Sequence, residues 1–306
     1  MEADLIAHLR KRIPPHRLVR LGPGDDAAVL CLADSADCVL TVDMLSDGVD
    51  FRIGEVDPRA VGRKALAVNL SDLAAMASRP VAAVVALTLP RRGGMELAVA
   101  LYEGLLALAD QFDVAVAGGD TNSWDGPLVI SVTLVGRLTE RGPLRRDGAR
   151  PGDRIVVTGS FGGSILGHHL DFQPRVVEAL ALHSRYELHA GIDASDGLSM
   201  DLAHVCEASG CGAELELEAI PISRDAHRLA QRQPGSTPLD HALGDGEDFE
   251  LILAVPPPEA DKMLAEQPLD VPLTAIGRFI SEPGLWVAGG PRRRRLQRRG
   301  YQHDLD

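Results

Sequence analysis

Aromatic side chains are scarce in this sequence: Phe, Trp and Tyr together make up 4% of its 306 residues. A surface that stacks on the bases of single-stranded nucleic acid needs more of them. Positive charge is also in deficit. A formal net charge of -13 argues against a general nucleic-acid or membrane surface and suits a protein that gathers divalent cations. The four cysteines, Cys31, Cys38, Cys206 and Cys211, form no C-x-x-C pair, so no structural zinc site is expected. No signal peptide and no bilayer-length apolar run can be read, which gives the expectation of a reduced, cytoplasmic protein. Also missing are a Walker A loop, the protein-kinase signatures and a G-x-S-x-G nucleophile elbow.

What the sequence does hold is centred on "KALAVNLSDLAAMASRP", Lys64 to Pro80. A helix over this stretch is apolar around most of its circumference and belongs inside a protein. Asn69, Ser71 and Asp72 nevertheless sit in its middle, with Asn69 and Asp72 on one face. A buried carboxylate without a partner costs on the order of several kcal/mol, so Asp72 must be paired or bound to a metal. Arg63, Lys64 and Arg79 are the candidate pairing partners nearby.

Around this stretch the pattern alternates between strands and helices, so the fold class is α/β or mixed α+β. Residues 2 to 13 read as a short helix, and "LGPGDDAAVL" as a Gly-Pro-Gly turn that presents Asp25 and Asp26 before a strand. "DCVLTVDML" is a strand, residues 46 to 57 an acidic loop, and Pro58 opens the next helix. "VAAVVALTLP" is a strand, residues 94 to 111 an amphipathic helix, and "DVAVAGGDT" a strand running into a Gly-Gly-Asp turn at Gly118 to Asp120. Length suggests two domains, and the hydrophilic stretch Thr139 to Asp153 marks the junction, giving residues 1–140 and 141–306. The second half restarts with "RIVVTG" and the glycine-rich "GSFGGS". It continues through "HAGIDASDGL", the helix "SMDLAHVCEASG" and the strand "CGAELELEAIP", then "LGDGEDFELILAV" and two short strands around an arginine run. That run, Arg292 to Arg295 with Arg298 and Arg299, reads as a solvated strand edge. His168 and His169, adjacent in sequence, read as surface residues.

Acids recur at predicted strand ends: Asp25 and Asp26, Asp43, Asp120, Asp193 and Asp196, Glu247 and Asp248. Oxygen donors without cysteine or clustered histidine favour magnesium or calcium over zinc. Magnesium commonly bridges carboxylates to substrate phosphates, which makes a nucleotide the natural partner. At any one of these positions an Asp can equally serve a turn or a helix cap.

"GPGDDAAV", "TVDML", "KALAVNLSDLAAM", "GGDT", "RDGARPGD", "DASDGLSMDLAHV" and "GEDFEL" occur in an order that resembles the thiamine-monophosphate kinases. "KALAVNLSDLAAM" is specific to that family, whereas the short G-G-D turns are shared with relatives such as aminoimidazole ribonucleotide synthetase. The resemblance implies a two-domain, mixed α/β fold of the aminoimidazole ribonucleotide synthetase type, dimerising through its N-terminal domain, with ATP and magnesium bound. It further implies magnesium ligands at Asp26, Thr41, Val42 (through its backbone), Asp43, Asp72, Asp120, Asp193 and Asp196. Gly119, Asp120, Arg146 and Ser195 would lie against ATP, and Glu247 and Tyr301 against the thiamine substrate. Asp50 stands at a substrate position where the family usually has His, and Asp245 where a glycine is common.

The implied activity is ATP-dependent phosphorylation of thiamine monophosphate to thiamine diphosphate by a homodimer, with no nucleic-acid or membrane partner. The acceptor phosphate is already anionic, so no general base is expected. A superfamily enzyme with another acceptor, or a nucleotide-binding protein without turnover, are the alternatives at this point.

Overall fold

The computed structural model of the protein describes residues 19–21, 25, 27–30, 37–289 and 293–302. The helix predicted over residues 2–13, the Gly-Pro-Gly turn, Asp26 and Cys31 lie outside these residues.

The first half forms β1 (Val19–Leu21), β2 (Ala28–Leu30), β3 (Cys38–Ser46), α1 (Pro58–Ala75), β4 (Arg79–Pro90), α2 (Gly94–Gln111), β5 (Ala115–Trp124) and β6 (Val129–Arg137). Its sheet runs β1-β2-β3-β6-β4-β5, antiparallel except for the β4–β5 pair. The second half forms β7 (Arg154–Thr158), α3 (His168–Asp171), α4 (Val176–Arg185), β8 (Ala190–Asp193), α5 (Leu198–Ser209) and β9 (Gly212–Leu215). It continues with α6 (Arg224–Arg232), α7 (Pro238–Gly244), β10 (Leu251–Val255), α8 (Pro257–Glu266), β11 (Leu273–Ile280), β12 (Gly284–Val287) and β13 (Arg294–Arg295). Its sheet order is β13-β12-β9-β11-β7-β10-β8.

Helix α1 forms where its sequence asks it to. Asp57 caps the N-terminus, its side chain accepting from Arg59 N, and Pro58 occupies the first turn. Thirteen of its eighteen residues are buried, which fits a helix apolar on nearly every side. Gly62 allows α2 to cross it closely, because a Cβ there would lie 1.8 Å from the Leu101 carbonyl oxygen. One continuous core joins Leu66, Leu70 and Leu73 of α1 and Val85 and Val132 of the first sheet to Val156, Leu251 and Leu253 of the second. The other face of that second sheet, with Ile155, Val157, Ile252 and Ala254, packs on Leu202 and Val205 of α5. Strands β7 and β10 thus alternate between two cores, as strands buried on both faces do.

The first sheet is covered on one face only. Val42, Met44 and Val84 are 61%, 65% and 45% exposed, and nearly all of β5 is open to solvent.

Three expectations are corrected. Gly118 to Asp120 form no turn; they run within β5, where Gly119 passes so close to β4 that a Cβ would lie 1.9 Å from Val85 O. The eight-residue strand β11 is the middle strand of the second sheet, between β9 and β7, and the sequence pattern does not predict it. His169 is buried and His168 half-buried rather than superficial. The arginine run behaves as expected: Arg294 and Arg295 form the exposed edge strand β13.

Candidate active site

Strand β3 and helix α1 bring the first group of acids together. The Thr41 hydroxyl donates to the Asp72 carboxylate. Asp43, two residues along the strand, belongs to a row with Val132 of β6 and Val85 of β4, both 1% exposed, on the face that α1 and α2 cover. One residue before Asp72, the Ser71 hydroxyl donates to Asp193 Oδ2 at 2.5 Å, which brings the end of β8 against the same turn of α1. Two of the bases near Asp72, Arg63 and Lys64 of α1, have other partners. Arg63 donates to the carbonyls of Leu170 and Phe172, the second at 2.6 Å, and Lys64 reaches Glu247.

A second group lies on the loop between β8 and α5. Asp201 Oδ2 accepts from the backbone N–H groups of Asp196 and Gly197 at 3.0 and 2.9 Å, fixing the turn that carries Ser195 and Asp196. Asp196, Asp201 and His204 offer ligand atoms within 4.8 Å of one another. Burial pushes the Asp201 carboxyl above its ordinary range, while the bond to Asp201 pulls the His204 imidazole upward. Arg146 lies near enough for its charge to act on both. Its own N–H donates to Asp25 Oδ2 at 3.3 Å, and its guanidinium pairs with the same carboxylate at 3.8 Å.

Between the halves opens a cavity of about 320 Å³, lined among others by Asp43, Asp50, Ser195, Asp196, Glu247 and Tyr301. That is a size suited to a small molecule. The three residues expected at substrate are therefore on one wall system with three expected at metal or ATP. Tyr301 is anchored there by its N–H to Asp196 O at 2.9 Å. The Glu247 backbone donates to Ser195 O at 2.7 Å from a left-handed conformation, φ 55°. Burial raises the Glu247 carboxyl above its ordinary value; the charge and hydrogen bond of Lys64 oppose that shift and Asp50 adds to it.

The two departures from the family pattern have local accounts. Asp50 Oδ2 accepts from Ser46 N at 2.7 Å, so this carboxylate folds back on its own loop at the cavity edge. Asp245 accepts from Gly163 N at 2.7 Å and pairs with His241 at 2.9 Å, tying α7 to the glycine-rich turn.

Gly119 and Asp120 are not brought to the other acids within one chain. Asp43 pairs across to Val132, Val132 to Val85, and Val85 to Gly119, an interval of three strands, about 14 Å along the sheet. Asp120 itself lies in the neighbouring row with Met44, on the bare face, opposite to the face Asp43 occupies. Val42 also points its side chain to that bare face. Asp26 lies outside the described residues.

Lys64, Ser71, His169 and Asp201 are site neighbours that sequence reasoning did not assign. For Lys64 the signal was present, a base at the start of the apolar stretch of α1, but its partner is distant in sequence. No helix of the described residues is long and apolar enough to cross a membrane.

Residues 24–138 match the family model of the AIR synthase related protein N-terminal domain, and residues 150–288 that of the C-terminal domain. The chain is 46% identical to a thiamine-monophosphate kinase of Rhodopirellula baltica, over 94% of this chain and 92% of that protein. Among solved structures, thiamine-monophosphate kinase from Stenotrophomonas maltophilia K279a superposes with a TM-score of 0.75 at 36% identity, covering 93% of this chain and 96% of the other. AaThiL complexed with AMPPCP and TMP superposes with a TM-score of 0.78 at 29% identity, covering 99% and 96%. With both domain models matched in order and relatives aligned over almost their whole length, the chain belongs to the thiamine-monophosphate kinase family of AIR synthase related proteins.

Proposed function

We propose that the protein transfers the γ-phosphoryl group of ATP to thiamine monophosphate, giving thiamine diphosphate and ADP. The observation that carries this reading is the shared cavity, whose lining includes Asp43, Ser195 and Asp196, expected at metal or ATP, together with Asp50, Glu247 and Tyr301, expected at the substrate. The relative AaThiL has been obtained complexed with AMPPCP and TMP, which supports a protein that takes both a nucleotide and this acceptor. The reading places the reaction in the cytosol, where ATP is made and used, and takes residue 140 as the end of the first domain.

The donor set fits magnesium. Thr41, Asp43, Asp72, Asp193 and Asp196 offer hard oxygen atoms, and the hydrogen bonds of Thr41 to Asp72 and of Ser71 to Asp193 hold three of these residues at one turn of α1. These residues, with Asp26, would hold the metal, which when bound neutralises and aligns the triphosphate. The protein's own groups do the rest. Arg146, oriented by Asp25, supplies a guanidinium for phosphate oxygens. Glu247 and Asp50 present negative charge to the thiazolium and aminopyrimidine of the acceptor, and Tyr301 closes the cavity beside them. The acceptor phosphate attacks as an anion, so positioning rather than proton abstraction is what these residues provide.

The site is completed by a second copy of the chain. Asp120 and Gly119 are about three strands from Asp43 in their own sheet, and the bare apolar face bearing Val42, Met44 and Val84 needs a cover. A homodimer joined through these faces supplies the cover and carries Asp120 of one copy toward the acids of the other.

The test is ADP formation by the purified protein with ATP and magnesium, with and without thiamine monophosphate. Acceptor-dependent ADP release is the expected result. ATP binding with no ADP formed would reduce the protein to a nucleotide-binding module.

A further inference from the structure

Lys64 is wholly buried, with 0% exposure, in the middle of the apolar helix α1. A lysine in that position needs its donors satisfied, and three acceptors meet it. Its Nζ donates to the Asp50 carbonyl oxygen at 2.9 Å, to His169 Nδ1 at 3.1 Å and to Glu247 Oε1. These acceptors come from three separate segments: the loop after β3, helix α3, and the turn before β10. Two of them, Asp50 and Glu247, line the cavity between the halves.

The chemistry at His169 agrees with this arrangement. Burial, and then the charges of Lys64 and His168, lower its pKa to about 4. The ring is therefore neutral near pH 7, with Nδ1 free to accept and the proton on Nε2. Glu247 is held from two directions, its backbone N–H by Ser195 O and its Oε1 by Lys64. A third of its side chain remains exposed, and Oε2 lies 3.6 Å from His169 Nδ1. Oε1 is thereby committed to the interior, and Oε2 is the oxygen left for a ligand.

We propose that Lys64 is a positioning residue for the acceptor, one that never touches it: its single amino group fixes the Glu247 carboxylate and the Asp50 loop as adjoining parts of the pocket wall. This rests on the reading of the cavity as the thiamine monophosphate site. Without Lys64, Glu247 is left in a poorly hydrated place with no cation beside it. It either takes up a proton or swings out, and in both cases the wall facing the thiazolium loses its fixed charge. On the nucleotide side Asp72 is held by Thr41 and Asp193 by Ser71, bonds that do not involve Lys64.

A double-mutant cycle tests this with Lys64→Met, Glu247→Gln and the pair together, each assayed for both substrates. Loss of a charge-assisted bond to the substrate-binding carboxylate predicts a rise of about 10- to 100-fold in KM for thiamine monophosphate in each single variant. KM for ATP should stay within a factor of about two, and kcat should change far less than the acceptor KM. Because Lys64 acts on the carboxylate through Glu247 and its other wall contact is only to the Asp50 backbone, the double variant should lie close to Glu247→Gln alone and well short of the product of the single effects. Should Lys64→Met fold poorly, the double variant carries no unpaired buried charge, and its comparison with Glu247→Gln decides the matter. Independent, multiplying effects, or equal losses for both substrates, would overturn the positioning role and leave the kinase reading standing. A wild-type enzyme without turnover on thiamine monophosphate would instead remove both.

Discussion

The Ser71 hydroxyl and the Asp193 carboxylate meet at 2.5 Å, the one at 1% and the other at 2% exposure, and so join the helix at the centre of the first half to the edge strand of the second sheet. A hydrogen bond to a buried charge is among the stronger kinds, contributing about 1.5–3 kcal/mol. Ser71→Ala should therefore lower the unfolding free energy by about that amount, measured by denaturant unfolding, and weaken magnesium-dependent ATP binding in calorimetry. A variant with unchanged stability and unchanged binding would mean that Asp193 is positioned by other contacts.

If Asp43 of one copy works with Asp120 of the other, two inactive variants should complement. Mixing Asp43→Asn with Asp120→Asn chains and allowing exchange gives mixed dimers in which one of two sites has both wild-type residues. Activity of the mixture should recover to about a quarter of wild type, while each variant alone stays inactive. No recovery, with light scattering showing that exchange took place, would mean that each site is built from a single chain.

Asp50 shares the cavity edge with Glu247 and acts electrostatically on it, yet its carboxylate is anchored to Ser46 N. Asp50→His exchanges an acceptor for a group that can donate to a phosphate. KM for thiamine monophosphate should shift on the order of fivefold, about 1 kcal/mol, with KM for ATP unaffected. No shift for either substrate would place Asp50 outside the acceptor's reach.

Asp248 supplies a pH signature. Its residue is 2% exposed, Oδ1 accepts from Gly162 N at 2.8 Å, and Oδ2 has no partner among the described residues. Burial, joined by the charges of Asp245, Glu250 and Asp201, raises its pKa well above the ordinary 3.8. The folded chain thus keeps a proton that the unfolded chain has already lost. The stability this contributes is present in full below about the unfolded value and is lost as pH rises through the folded one. Asp248→Asn is neutral throughout, so its melting temperature should exceed that of wild type near neutrality and the gap should narrow toward pH 4. Melting curves that stay parallel from pH 4 to 7 would contradict this.

Much of this was legible from local pattern. The burial of α1, the acid at Asp72, and the strands β3, β4 and β6 follow from period and composition, and "KALAVNLSDLAAM" pointed to the family. Long-range matters were not legible. Glycines at 118 and 119 suggest a turn, but Gly119 is needed for close approach to Val85 within a strand. His169 looked superficial because its burial comes from Lys64 and Glu247, which lie 105 and 78 positions away. The register that puts Asp120 on the opposite face from Asp43 depends on three strand pairings, and a count of acids along the chain cannot reveal it.

The most direct measurement follows the γ-phosphorus itself. With ATP labelled at that position, magnesium and thiamine monophosphate, the label should appear in the terminal phosphate of thiamine diphosphate, in amounts equal to the ADP formed. Label recovered only as inorganic phosphate, or as unreacted ATP while nucleotide binding is intact, would contradict the assignment of this cavity to phosphoryl transfer onto thiamine monophosphate.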